Sequence, residues 1–345
     1  MEKGALLQRS DWLISFSRAL SELWYVSFRH EQVLMKQLEA IKPDVVYALL
    51  GTYWLTYIVH RVTKRLDIPL VIHLTDDFIE GLYKNRPGGF FLTRAAEQAV
   101  RNVTNNSSAR VAISPVMASE FQKRYGQKWD WITTPISGQS RVGLEREAGR
   151  PLCVFAGNLG IGRWESLREC AELLKRCGSQ SGKFPRLVIY ASQEQIQQYG
   201  SKLKVSGITE IAGWIPMKEL QKIFLNADIL IHVESLIEQY SRYTRYSFST
   251  KISQYMMSGR SILAYGPKKC GSLRVIADAK AGLCISSMDE QAEQLVTHLL
   301  SDQKQRQQYG HQGREWAMKW CEIQKTQHRL YSILAKSAAV KDDNL

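Results

Sequence analysis

The apolar run Cys153-Val154-Phe155-Ala156 leads directly into Gly157-Asn158-Leu159-Gly160-Ile161-Gly162-Arg163, and a helical pattern follows. Glycines at such a junction let the backbone pass close to a ligand and adopt positive φ. The helix start behind them offers N–H groups and a partial positive charge, which suit a phosphate. Arg163 adds a planar cation that can bridge two phosphate oxygens. The spacing is neither G-x-G-x-x-G nor a Walker sequence. An ordinary βα turn with Arg163 in solvent fits the same residues, and this segment alone weighs the two readings evenly.

A second stretch, Ser249-Thr250-Lys251, opens another helix, running through Gln254 to Gly259. Ser249 or Thr250 suits the N-cap position. Lys251 falls in the first turn, where the helix dipole disfavours a cation unless an anion is bound. The alternative is a surface lysine tolerating a loss of a few tenths of a kcal/mol, so the local physics leans toward an anion site. Ahead of it, Glu234 to Phe248 forms a long tyrosine-rich loop with two arginines and two glutamates. It follows a strand, and open parallel sheets bind ligands at strand carboxyl ends. In the first half of the chain, His73 ends an apolar run ahead of Asp76 and Asp77. It could serve as acid or base or orient a hydroxyl, although one histidine at a strand end is more often packed or hydrogen-bonded. Two adjacent carboxylates are weak evidence for a metal.

These segments need a scaffold. Apolar residues at helical spacing, among them Leu13, Phe16, Leu20, Leu23, Trp24, Val33, Leu34 and Leu38, predict helix over 12–40. Strands are expected at 45–50, 69–74, 110–113 and 129–133, with helices at 53–66, 91–103 and 116–125 between them. Residues 75–89 read as a loop with an Arg86-Pro87-Gly88-Gly89 turn. Strands then recur at 151–156, 186–191, 209–212, 228–233, 261–265 and 282–285, with helices at 164–177, 217–225, 251–258, 271–279 and 289–300. One charged, glutamine-rich helical stretch is expected over 303–335. Regular alternation of this kind predicts an α/β fold with parallel sheets and right-handed crossovers. The polar segment 136–150 is the expected linker, dividing an N-terminal domain at 1–135 from a second domain at 151–325, with 326–345 as helix end and tail.

The chain has 345 residues, enough for two ordinary domains. Its net charge of +13 calls for an anionic partner. Nucleic acid, an anionic membrane face and phosphorylated substrates all fit that sign. Charge alone supports a nucleic-acid binder, with no basic run, zinc module or stacking motif behind it, so no nucleic acid is expected. Six cysteines without CxxC spacing indicate free thiols, a reducing compartment and no structural zinc. No signal-peptide core opens the sequence, and the apolar stretch Val45 to Val59 is shorter than the ~20 residues of a spanning helix. The location expected is cytoplasmic, at the inner face of the cell membrane. No G-x-S-x-G or HExxH sequence is present.

Taken in order, four motifs resemble the retaining GT-B glycosyltransferases, in particular the bacterial group that builds surface polysaccharides. They are GNLGIGRWESL; Gly213-Trp214-Ile215-Pro216 with Asn226-Ala227-Asp228-Ile229; STKISQYMMSGRSILAYGP; and Ala281-Gly282-Leu283. The resemblance covers roughly 40 to 330. It implies two Rossmann-like domains with parallel sheets facing across a cleft, and a nucleoside diphosphate sugar as donor on the second. The base would lie against Gly213, Trp214 and Ile215. The diphosphate would meet Gly157, Asn158, Leu159 and Gly160 together with Ser249 and Thr250. Arg163 and Lys251 would stabilise the leaving diphosphate without a metal or any other cofactor, and His73 would stand near the reacting sugar. The acceptor implied is a saccharide or a lipid-linked saccharide.

Two departures accompany the resemblance. Gln254 holds the place of the family's second glutamate, which binds ribose; an amide can hydrogen-bond a hydroxyl, without charge. Glu234 and Glu238 both fit the first glutamate. The N-terminal domain is also expected to lack its opening strand or strands. Together these leave a second expectation beside glycosyl transfer: a non-catalytic nucleotide-sugar-binding partner of another glycosyltransferase chain.

Overall fold

The computed structural model describes residues 17, 20–22, 24–26, 28–84, 89–137 and 149–339. The chain divides into two compact units, one of Met1–Ile132 with His328–Leu345 and one of Thr133–Gln327.

In the first unit four parallel strands lie in chain order: β1 (Val46–Leu50), β2 (Leu70–Leu74), β3 (Ala109–Ala112) and β4 (Asp130–Trp131). The crossovers are the helices Tyr53–Arg65, Gly89–Asn106 and Pro115–Tyr125. The last of these shows why the local sequence folds as it does. Ser114 Oγ accepts from Met117 N, Pro115 starts the helix, and Gly126 ends it at φ 79°. All five residues of β2 are buried, as an apolar run between covered faces requires. One face packs Val71, Val111 and Ile132 against Leu330, Ile333 and Leu334 of the helix Ile323–Ala339.

The expected loop at 75–89 instead contains a π-helical turn, Ile79–Tyr83. Buried Glu22 ties it down, accepting from Tyr83 Oη at 2.5 Å and Trp54 N at 2.9 Å. Leu13, Phe16, Leu23 and the Arg86–Gly88 part of the turn lie outside the described residues. The described helix there is Phe28–Ile41, with Val33 and Ile41 exposed.

The second unit is a six-stranded parallel sheet of β5 (Leu152–Ala156), β6 (Arg186–Tyr190), β7 (Thr209–Ile211), β8 (Ile229–Val233), β9 (Ser261–Tyr265) and β10 (Gly282–Ile285). Its order is β10-β9-β8-β5-β6-β7. The winding therefore reverses between β5 and β8, which creates a crevice beyond their carboxyl ends. Helices Arg163–Ser181 and Glu290–Ser301 cover the core built on Cys153, Phe155, Leu167, Leu174, Ile231 and Val296. Most of the expected linker, 138–148, lies outside the described residues.

Three elements differ from the sequence expectation. The helix Gln193–Tyr199 is additional, capped by Ser192. The tyrosine-rich segment folds around a short helix, Glu238–Thr244. The stretch expected as one helix is two, Gln303–Trp320 and Ile323–Ala339. The break has a physical cause: the backbone at 321–323 pairs with Ile136, and Glu322 turns its carboxylate onto the N–H groups of Gln324 and Lys325.

Candidate functional site

The β5/β8 crevice collects the charged groups that the sequence singles out. Glu234 follows the last residue of β8, and its side chain is only 2% exposed. Arg163, at the first position of the helix after β5, meets it with three hydrogen bonds. Arg163 Nε donates to Oε2 at 3.1 Å, and Nη2 donates to Oε2 at 2.9 Å and Oε1 at 3.2 Å. Buried His232, from β8 itself, brings Nε2 to 3.4 Å from Glu234 Oε1, just short of hydrogen-bond geometry. Burial works to raise the Glu234 carboxyl. The adjoining His232 and Arg163 outweigh it and hold the carboxyl below the usual carboxylate range. Glu234 is thus a fixed anion, and Arg163 is held by it rather than dissolved in water. Glu238, the other candidate for this position, pairs with Arg242 on the exposed short helix.

The glycine loop fits closely around that pair. Gly162 has φ 74°, and a Cβ there would collide with Ser235 Oγ and approach Tyr240 to 3.1 Å and Ile237 to 3.2 Å. Only glycine meets both demands. Most N–H groups of the loop are already engaged. Leu159 N donates to Gln195 Oε1 at 2.9 Å, and Gly160 N donates to Asn158 Oδ1 at 2.6 Å. Gly157 N donates to Tyr190 O, Arg163 N to Gly160 O and Trp164 N to Leu159 O. Gln195 Nε2 closes the ring onto Asn158 Oδ1 at 2.8 Å. Leu159 itself is a core side chain. The loop is a rigid wall with few donors left for an anion.

The helix Thr250–Met257 offers the better anion end. Ser249 stands at its N-cap in extended conformation, yet its side chain makes no capping bond. Ser249 N donates to Ser272 Oγ, and Ile252 N to Ser249 O. Among the described residues the N–H groups of Thr250 and Lys251 have no acceptor, as a helix start suited to an anion would. Lys251 Nζ donates to Gln254 Oε1 at 3.3 Å. Among the described residues no carboxylate comes within ion-pair range of Lys251, and burial pushes its ammonium down.

Two residues that the sequence reading did not single out hold this arrangement together. Tyr255 is buried, and its Oη accepts from Ala156 N at 3.0 Å, fastening the Lys251 helix to the end of β5. Gly266, after β9, lies where a Cβ would stand 2.9 Å from Glu234 Cβ. An aromatic with one polar atom inside an apolar stripe looks like ordinary core, and the glycine needs the third dimension to be noticed. Gly213, at φ 87°, with Trp214 and Ile215 follows the outer strand β7, and Trp214 is 67% exposed.

His73 belongs to the first unit, near the carboxyl end of β2. Its Nδ1 lies 2.5 Å from Tyr47 Oη, and its buried Nε2 has no hydrogen-bond partner among the described residues. Burial lowers its pKa to about 4, so the imidazole is neutral at neutral pH. Asp77 is taken up structurally, accepting from Arg124 Nη1 at 2.8 Å.

No protein-family model matches the chain, and no curated protein matches it. Solved structures do. A sucrose-phosphate synthase from Thermosynechococcus elongatus aligns with a TM-score of 0.65 at 11% identity, over 90% of this chain and 78% of that one. Anabaena HepE in complex with UDP gives 0.65 at 13% identity, over 88% and 81%. A glycosyltransferase from Rickettsia africae gives 0.64 at 11% identity, over 90% and 80%. At such identities the likeness establishes the fold, which is that of the GT-B glycosyltransferases. Among the described residues no helix is long and apolar enough to cross a membrane.

Proposed function

We propose that the chain is a glycosyltransferase that moves a sugar from a nucleoside diphosphate sugar to a saccharide or lipid-linked acceptor, with retained configuration and without a metal. One observation carries the reading: in the second unit, the Lys251 ammonium and two N–H groups without an acceptor among the described residues share a helix start that Tyr255 fastens to β5. As the sugar–phosphate bond breaks, negative charge builds on the diphosphate. Preorganised positive groups stabilise that charge in the transition state, the place a metal would otherwise fill. The Arg163–Glu234 pair supports the same chemistry, presenting a guanidinium whose plane is already fixed. HepE, of the same fold, was solved with UDP-glucose, which supports a donor of that class for this chain. The acceptor is proposed to belong to cell-surface polysaccharide synthesis. The +13 balance suits peripheral attachment to the inner membrane face, since each basic residue near an anionic leaflet contributes about 1 kcal/mol.

The test is release of nucleoside diphosphate from a panel of sugar nucleotides with saccharide and lipid-linked acceptors. Release is expected with one donor class, to be unaffected by a chelator, and to give a product of unchanged anomeric configuration. The second reading, a donor-binding partner without transfer, rests on Gln254, an uncharged amide already bonded to Lys251. Donor binding with no release for any acceptor would replace the first reading with the second.

A further inference from the structure

The tyrosine-rich segment after Glu234 reads along the sequence as a long excursion, yet the fold pins its second half. Cys270 Sγ donates to Thr244 O at 3.7 Å, Gly271 N to Arg245 O at 2.6 Å, and Ser272 Oγ to Ser247 O at 3.3 Å. Ser249 N donates to the same Ser272 Oγ at 3.3 Å. Residues 244–249 therefore run as a strap along the start of the helix Gly271–Asp278. The approach requires glycine at 271, where a Cβ would stand 3.0 Å from Tyr246 O and 3.1 Å from Ser247 O. The turn that leads into this anchoring helix packs Gly266 against Glu234. At its other end the strap becomes the helix that carries Lys251. It thus bridges the surroundings of the Arg163–Glu234 pair and the candidate anion end.

Arg245 sits on this strap. Its backbone is engaged, but its guanidinium makes no hydrogen bond or ion pair among the described residues. The residue is half-buried, and none of its nitrogens is sealed from water. The modest explanation is a cation closing the short helix Glu238–Thr244. Arg242 already fills the last turn of that helix. Other arginines without a partner, such as Arg65, Arg94 and Arg274, are exposed, whereas Arg245 is drawn in. A charge that gives up hydration calls for a compensating partner. The nearby carboxylates are already matched, Glu234 with Arg163 and Glu238 with Arg242. From Thr244 to Met257 the only charged residues are Arg245 and Lys251. The glycine loop has few donors left, so a diphosphate in this crevice has to be met from the strap and the helix behind it.

We propose that Arg245 is a further diphosphate-binding residue of the donor site, its planar fork bridging phosphoryl oxygens beside the Lys251 ammonium. The inference rests on the donor-site reading and adds to it a residue that none of the four sequence motifs contains. The strap supplies the preorganisation: its backbone is fixed before any ligand arrives, so little ordering is needed on binding.

Titration calorimetry of the full chain with inorganic pyrophosphate tests it. Arg245→Gln is expected to weaken binding about tenfold or more, as a lost charge-assisted contact does. Arg245→Lys, which keeps the charge and loses the fork, should fall between that variant and the parent protein. Arg274→Gln removes the same charge from an exposed site on the anchoring helix and should leave binding unchanged. The melting temperature of Arg245→Gln should match the parent, since no internal partner is lost. Binding that is indifferent to Arg245→Gln, equally weakened by Arg274→Gln, or absent from the parent protein overturns the proposal. Indifference to Arg245→Gln together with weakening by Lys251→Ala leaves the donor-site reading intact. Weakening by Arg245→Gln with no nucleoside diphosphate release from any sugar nucleotide removes the transfer reading and leaves this one standing.

Discussion

Replacing Arg163 with alanine strips the guanidinium from a carboxylate that is 2% exposed. Removing one partner of a buried pair costs about 3–5 kcal/mol, because the other charge is left without compensation. The Arg163 side chain is 20% exposed, which places the expected loss near the lower end, about 3 kcal/mol. The pH dependence separates this cause from lost packing. In the intact protein the Glu234 carboxyl is held below its ordinary value, so its stabilising contribution is present at neutral pH and fades as pH falls through that lowered value. Without Arg163 the carboxyl rises from that lowered value, burial now being opposed by His232 alone. The stabilising contribution shrinks by the amount of that rise at neutral pH and changes little where the carboxyl is protonated in both proteins. Each unit of that rise costs about 1.4 kcal/mol at higher pH. Urea unfolding near about pH 5 and about pH 8 should therefore show a smaller loss for Arg163→Ala at the acid end. Arg163→Met with Glu234→Gln should recover most of the loss at both, while donor binding stays impaired. A loss under about 1 kcal/mol, equal at the two pH values, would mean that the pair behaves as a solvated surface contact, and the reasoning would fail.

Lys251→Ala should lower the rate of nucleoside diphosphate release by about 10²–10³, measured as kcat, while changing urea stability by less than about 0.5 kcal/mol. Gly162→Ala should cost more than about 2 kcal/mol and lower Tm, since positive φ and the Ser235 contact act together. Gly157→Ala, whose Cβ would first meet the Phe155 ring at 3.4 Å, should be far milder in the same melt. Tyr255→Phe keeps the ring and removes the acceptor for Ala156 N; urea unfolding should show a loss of about 1–2 kcal/mol.

The period of the apolar residues was enough to locate every strand of both sheets to within a residue or two, because runs such as Ile229–Val233 are buried throughout and carry no competing signal. The site was legible in part. Lys251 stood out because a cation in the first turn of a helix is locally unfavourable, and Arg163 because a planar cation behind a glycine turn can bridge two phosphate oxygens. The partner of Arg163 was not legible: Glu234 and Glu238 are equivalent along the chain, and only the end of β8 distinguishes a buried carboxylate from a solvated one. The packing around the glycine loop was not legible for a related reason: sequence shows glycines but not the side chain of Gln195, which arrives from a helix of low apolar content and bonds Leu159 N and Asn158 Oδ1. The break at Cys321–Glu322 was invisible because its cause, Ile136, lies far away in the chain.

The helix Ile323–Ala339 bears on how the protein is made. It covers Val71, Val111 and Ile132, so one face of the first sheet is completed only by residues synthesised after the second unit. The whole second unit is synthesised in between, which takes on the order of tens of seconds at ~5–20 residues per second. During that interval the second unit can fold, while Val71 and Val111 stay exposed to water or to a chaperone. Of the two units, the one synthesised earlier is therefore the later to become native, and a stop codon after Gln327 would damage the first unit rather than the second.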